Sequence, residues 1–545
     1  MFVELALTTQ ADYSTLYNVS RQIMLPLNIE WMIPANEPVR LLEHIIEEMD
    51  LTELNASRRS QADRATPVQL FAILVYASMN QIYSSRAIER ACRRDIHFLY
   101  LLNGKKAPDH TTINRFRKKR FAPVSKKLLA QFGDYLEGLG EVSREQLFVD
   151  GTKIESAANK YTFVWKKSVL KNREKLRAKA SELVEKIEIT YGVHIRNGKE
   201  LKLSLLKRCR RRLKQLQRRE GIRFVHGSGK RKDKLQRYIE ELSTYISRLK
   251  KYTRQLHIMG ERNSYSKTDP DATFMRLKED AMLNGQLKPA YNIQCGSDSG
   301  YVIWVTAGPQ PSDMTTLIPF LKSYRAHNKT PYQDIVADSG YESEENYTFL
   351  KEQGQEAYIK TNDWDKRKTR AWENDIGRAE NMTYSAEDDT YQCSEGRTLH
   401  RTGVRHKTNK SGYTSETTVY TCENCHDCPA REKCIKKIIN CKTPFEARTK
   451  QLYVSRTFQN FRQESLERLA SEKGKELRQN RSIQAEGVFA EIKANMHFRR
   501  FQCRGTEMIL AEWILLSLAQ NVVRLHNRIQ QGKCGLHLYP LKEAI

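Results

Sequence analysis

At 545 residues with a formal net charge of +27 and a pI near 9.5, the chain is too long for one ordinary core, so about three or four domains are expected. So large a cationic excess calls for a polyanionic partner, nucleic acid ahead of an anionic membrane surface. The longest apolar run, Leu70 to Met79, is about ten residues against about 20 for a bilayer span, and Glu4, Thr8, Thr9, Gln10 and Asp12 lack the order of a signal peptide. The expectation is a cytoplasmic protein with no membrane partner.

Residues from about 14 to 140 read as helical. Pro38 opens a run with Val39, Leu41, Leu42, Ile45, Ile46 and Met49 at helical spacing. Thr66 is the expected N-cap of a second helix, with Leu70, Phe71, Leu74, Val75 and Met79 on one face. Ser84 or Ser85 caps a third. After Pro108-Asp109-His110 comes a short basic helix from Thr112 to Arg120, whose Arg115, Arg117, Lys118, Lys119 and Arg120 are candidate DNA contacts; a solvated cationic helix is the alternative.

A short apolar run, Leu147-Phe148-Val149, then ends on Asp150-Gly151-Thr152-Lys153. Between 156 and 260 about 30 Lys and Arg stand against about 9 Asp and Glu, so this segment carries most of the net charge. Its leucines and isoleucines recur at steps of three and four, which fits two or more long amphipathic helices, a helical hairpin or coiled coil. From Ala290 the period changes to two, giving a β-hairpin about Gly296–Gly300. Asp313 begins a helix. Ile335-Val336-Ala337 is a buried strand ending on Asp338, a helix runs from Ser343 to about Gln353, and Ala357–Ile359 is a further strand. Residues 362 to 450 are polar and irregular, and helices return from Phe458 through Glu486 and Lys493 to a last amphipathic helix, Met508 to Ile529.

Asp150, Asp338 and Glu486 are far apart in sequence, and an RNase H-like sheet would bring them together: the two strands are neighbours and a later helix crosses them. Converging carboxylates repel unless divalent cations lie between them, and Mg²⁺ (or Mn²⁺) suits all-oxygen ligands. Two such ions would activate a water or 3′-hydroxyl and stabilise the leaving oxygen in phosphoryl transfer. Lys493, seven residues past Glu486, is placed two α-turns on, on the same face.

Of the eleven cysteines, four fall in Cys422-x2-Cys425-x2-Cys428-x5-Cys434, a spacing that fits one structural Zn²⁺. Cys393, His426 and Cys441 are possible substitute ligands, with an iron–sulfur cluster or free thiols as the alternatives. The stretch His497 to Gly505 interleaves aromatics with Arg499, Arg500 and Arg504, which suits a DNA backbone or a flipped base, or equally a loop packing the last helix.

Phe148–Lys153, Ala337–Tyr341 and Glu486-Gly487-Val488-Phe489 with Lys493 resemble, in order, the three motifs of bacterial insertion-sequence DDE transposases, in particular the large group numbered eleven eighty-two, whose members also carry a cysteine-rich insert. Tyr83–Glu89 with Pro108–Thr112 resembles their preceding helical domain. The resemblance spans nearly the whole chain. It implies that Asp150, Asp338 and Glu486 bind the catalytic metals, that terminal inverted repeats and target DNA are the partners, and that the chain acts as a homodimer on paired ends. Where relatives often place an Arg four positions before the Glu, this chain has Ser482; neighbouring Arg481 is assigned no catalytic role.

The expected architecture is multidomain α/β: an all-helical DNA-binding domain, 1–140; a core with a mixed five-stranded sheet, 141–361, interrupted by the basic helical insertion 156–260; a cysteine-rich zinc insertion, 362–450; and the rest of the core with the glutamate helix, 451–545. Two rival functions stand beside transposition: a DNA-binding protein derived from an inactive transposase, and a nuclease of the same fold that cuts without joining.

Overall fold

The computed structural model describes residues 29–55, 63–194, 202–227, 229–277, 285–436 and 443–535; the start of the helical reading at 14, Cys441 and the end of the C-terminal tail lie outside them. Up to Ile359 the strands in chain order are β1 (Gln146–Glu155), β2 (Phe163–Trp165), β3 (Ser264–Ser266), β4 (Thr273–Arg276), β5 (Leu287–Asp298), β6 (Tyr301–Gly308), β7 (Asp334–Ala337) and β8 (Glu356–Ile359). The sheet has six strands rather than the expected five, ordered β4-β5-β1-β7-β8 with β6 also on β5. β5 lies antiparallel to β1, whereas β7 is parallel to both β1 and β8. The extra strand, β4, pairs the entry of β5, outside the stretch where period-two alternation was legible.

The two faces of β1 explain the rest of the packing. Phe148 joins Val336, Tyr358, Leu469, Leu477 and Ala485, so one face is covered by the helices that lead to Glu486. Leu147 and Val149 join a larger core that runs on into the N-terminal helices and the Thr506–Gln530 helix. That last helix is long and apolar enough to cross a membrane by length and composition. It serves here as the central core helix, with Trp513, Ile514, Ala519 and Leu525 buried.

Thr66 caps the Pro67–Met79 helix in a reciprocal capping box with Gln69. Every residue from Leu70 to Ser78 is buried, so this helix is enclosed all round instead of being amphipathic. Asp109 caps His110–Phe116, which passes through one π-turn, Arg117–Phe121, into the Ala122–Gly138 helix. The basic segment is therefore the start of a long helix, not a free-standing short one.

The basic insertion is three helices, Lys166–Tyr191, Leu203–Arg219 and Lys234–Met259, around a core of their own. The short β2–β3 pair lies at its base. The cysteine-bearing segment departs most from expectation. Instead of being irregular it holds a five-stranded antiparallel sheet, from Thr383–Ser385 through the long Thr398–Thr408 and Thr414–Cys422 hairpin to Gln451–Val454. Thr398–Thr408 is exposed along most of its length; with neither face buried, it leaves no hydrophobic alternation in the sequence.

Candidate active site

The register places the first two acids side by side. Val149 pairs with Ala337 across the parallel β1–β7 ladder, so Asp150 and Asp338 lie at one level where strands run about 4.8 Å apart. Asp338 follows the end of β7, whereas Asp150 stands inside β1, which runs on to Glu155 against β5 instead of stopping at the Asp-Gly step. The Asp150 side chain is only 21% exposed. Burial pushes its carboxyl up to about 6, with the Asp338 and Asp313 charges acting the same way, against the Gly151 N–H and the Arg481 guanidinium, which favour the ionised form.

Glu486 comes in on the helical segment that covers this end of β1. The Glu472–Arg481 helix is held to the sheet by Leu477 and by Lys473, whose Nζ lies 2.7 Å from Oδ2 of buried Asp334 at the start of β7. Residues Ser482–Glu486 then form a π-turn, and Ser297 Oγ donates to the Gln484 carbonyl (3.1 Å), tying that turn to β5. In a π-turn residues five apart stack, so Arg481 shares a face with Glu486. Its guanidinium is 3.2 Å from Glu486 Oε1 and 3.9 Å from Asp150 Oδ2. One cation thus lies against both carboxylates. An α-helical step of four could not have revealed it. Lys493 lies half-buried on a second π-turn, Glu491–Asn495, so its seven-residue step from Glu486 is not two plain α-turns.

A fourth acid, Asp313, stands beside the pair. It was legible only as a helix start; the structure gives a 3₁₀ turn, Asp313–Thr315, before the Leu317–Arg325 helix. Asp313 Oδ1 accepts from Asn292 Nδ2 (2.7 Å) and Gln294 Nε2 (3.0 Å). Both amides are buried on β5, where period two makes them look like the wet face of a strand.

The cationic candidates divide by burial. Arg115, Lys118 and Lys119 are exposed and Arg120 is half-buried, but Arg117 is buried and donates to the Tyr83 carbonyl at 3.1 Å, so it holds the helices together and cannot meet DNA. Arg499 is exposed. Arg500 donates to the Ser156 and Ala158 carbonyls (both 3.1 Å), and Arg504 to that of Ala157 (3.3 Å), clamping the loop after β1. With Lys160 and Lys288 they line an open cationic groove. Phe498 and Phe501 are each 1% exposed and pack on Trp513, so they are core residues and do not stack on bases. Phe501→Ala is expected to cost about 3 to 5 kcal/mol of stability, read from chemical denaturation.

Cys422, Cys425, Cys428, Cys434 and also Cys393 line one small cavity. Burial, then the neighbouring Cys425, pushes the Cys422 thiol up to about 12. Exposed His426 turns its ring to Asp427 (3.1 Å) and does not line that cavity. Among the described residues, no group of three or more His, Cys, Asp or Glu is drawn together closely enough to hold a metal ion, at the thiols or at the carboxylates.

Residues 392–526 match the family model of a transposase DDE domain, a span that holds Glu486, Lys493 and the four clustered cysteines. Residues 27–119 match the model of a transposase domain (DUF772). No curated protein matches the chain. Two transposase models, matched on either side of the Asp150–Asp338 pair, support an insertion-sequence DDE transposase, at the level of that class rather than of any numbered group.

Proposed function

We propose that the chain cleaves DNA at terminal inverted repeats and joins the freed 3′ ends to target DNA, working as a homodimer on paired ends, with Asp150, Asp338 and Glu486 as metal ligands on an RNase H-like core. The observation that carries this reading is the side-by-side placement of Asp150, on β1, and Asp338, just past the end of the parallel neighbour β7, with Glu486 joined to Asp150 through one arginine. The donor set fits hard divalent cations: carboxylate oxygens, one of them with its charge disfavoured by burial, and no sulfur or imidazole among them. Bound Mg²⁺ or Mn²⁺ would supply an activated nucleophile and charge stabilisation at the leaving oxygen. The protein's own part is to hold Asp150 in a half-dry position, to keep Arg481 where a phosphate can replace one of its carboxylate partners, and to offer Lys493 to the DNA backbone. Arg115, Lys118, Lys119, Arg120 and Arg499 would contact phosphates, as would the free edges of Arg500 and Arg504.

The domains we assign follow this division of labour: DNA binding by residues 1–140, a core in two parts, 141–361 and 451–545, a basic arm at 156–260, and the cysteine-bearing insertion at 362–450. For that insertion we propose one structural Zn²⁺ held by four of the five thiols that line one cavity beside the segment's own small core, four thiolates being enough to close a tetrahedral site. Metal analysis of the purified chain is expected to give one zinc, lost together with thermal stability in Cys425→Ser; less than one zinc per chain would remove the assignment.

The functional test uses the full chain, Mg²⁺, a supercoiled target and duplexes bearing the inverted repeats that flank its coding sequence. Nicks at the repeat ends and repeat–target joints are the expected products. Cleavage with no joints would favour the nuclease, and binding with no cleavage would favour a protein that only binds DNA.

A further inference from the structure

Asp313 sits beside the glycines that follow the two strand aspartates, and Gly151 in β1 leaves it room. A Cβ built on Gly151 would lie 2.6 Å from Asp313 Oδ1, and one on Gly340 would lie 3.7 Å from Oδ2. The carboxylate therefore lies between Gly151, inside β1, and the turn after Asp338. It is also held firmly. Asn292 and Gln294, 1% and 2% exposed, both donate to Oδ1; Gln294 also donates to Asn292 Oδ1 (3.1 Å) and accepts from the buried Tyr341 hydroxyl. Asn346 Nδ2 donates to both the Met314 and the Tyr341 carbonyls, at 3.0 and 2.7 Å, fastening the Asp313 turn to the Asp338 turn.

None of these bonds needs a negative charge. An asparagine carbonyl would accept from the same two amides, and it would not repel Asp150 and Asp338. A carboxylate kept here, with one oxygen engaged and the other facing the Asp338 turn, is explained by a positive group arriving at that side.

We propose that Asp313 is a positioning residue of the carboxylate site: Oδ1 anchors it to β5, and Oδ2 accepts hydrogen bonds from the water shell of a divalent cation held by Asp150 and Asp338. The inference rests on the metal-ligand reading of those two acids. It accounts for Gly151 as well, because the Cβ of an alanine there would come within 2.5 Å of Gln294 Nε2 and 2.6 Å of Asp313 Oδ1 and displace both.

The test is Mn²⁺ binding to the full chain without DNA, followed by calorimetry, for the wild type, Asp150→Asn and Asp313→Asn, with the metal-free melting temperature of each. Asp313→Asn keeps the anchoring bonds and puts an amide where Oδ2 was. The expected result is a Kd weakened about 10-fold or more, the range for groups acting through a ligand's surroundings, with a metal-free melting temperature unchanged or raised. An unaltered Kd would overturn the inference while leaving the metal site standing. A melting temperature that falls along with affinity would make Asp313 a structural brace, which also overturns it. If the wild type takes up no Mn²⁺, or Asp150→Asn takes up as much, the metal-ligand reading itself fails and this inference fails with it.

Discussion

Asp338→Ala is expected to abolish cleavage of repeat-bearing DNA, by about 10⁴-fold or more as for other residues that act as one unit with their site, and to leave binding of the same DNA within about twofold. The separation follows from where the residue sits. Asp338 is half-exposed at the end of β7, its side chain caps no backbone N–H of the following turn, and the strand's hold on the sheet comes from buried Ile335, Val336 and Ala337. Removing the carboxylate therefore takes little from the fold, within about 1 kcal/mol, while removing half of the Asp150–Asp338 pair. The exposed cationic residues of the N-terminal helices, Arg115, Lys118 and Lys119, stay as they were. Gel-shift titration beside a cleavage time course measures both quantities on one preparation. Retained cleavage by Asp338→Ala would show that the assignment is wrong.

The pair itself was readable in the sequence because it depends on local patterns: an apolar run of strand length that stops on Asp, twice, with a hairpin and a helix between. The contribution of Arg481 was not, since it depends on a π-turn, and a spacing argument assumes the α-helical period. Asn292, Gln294 and Asp313 were hidden for a related reason. A strand with polar residues at every second position reads as half-solvated, and only the assembled sheet shows those amides to be buried and bonded to a carboxylate distant in sequence. Arg117 shows the opposite error. Among Arg115, Lys118 and Lys119 it is one more positive charge in a basic run, yet the helix phase turns it inward to the Tyr83 carbonyl. The five-stranded sheet of the cysteine-bearing segment escaped because its long hairpin is exposed and carries threonines where a buried strand would alternate apolar side chains. Cys393 joins the other four thiols only through that sheet, where Tyr391 pairs with Leu399 and Leu399 with Cys422.

Asp150→Asn is expected to make the metal-free protein more stable at neutral and alkaline pH while preventing metal uptake. The Asp150 carboxyl is raised from 3.8 to about 6 in the folded chain, burial being the largest cause, so folding favours its protonated form. The stability this group contributes is complete below about pH 4, where folded and unfolded chains both carry the proton. It is lost as pH rises through about 6, up to a cost on the order of 3 kcal/mol once the folded carboxylate is ionised. Asparagine carries no charge at any pH and never incurs that cost. Buried Asp298, likewise raised to about 6, is common to both proteins, so its effect cancels in the difference between them. Arg481 keeps Glu486 as a partner in the variant, which limits the offsetting loss. The difference in unfolding free energy between Asp150→Asn and wild type, measured without divalent ions from pH 4 to 8, should therefore open from near zero and level off above about pH 7. Millimolar Mg²⁺ at pH 8 should then close it from the wild-type side alone, because only the wild type gains by binding. A difference that stays flat across this pH range would mean that Asp150 is ordinarily hydrated and that the site lacks the half-dry carboxylate its proposed chemistry requires.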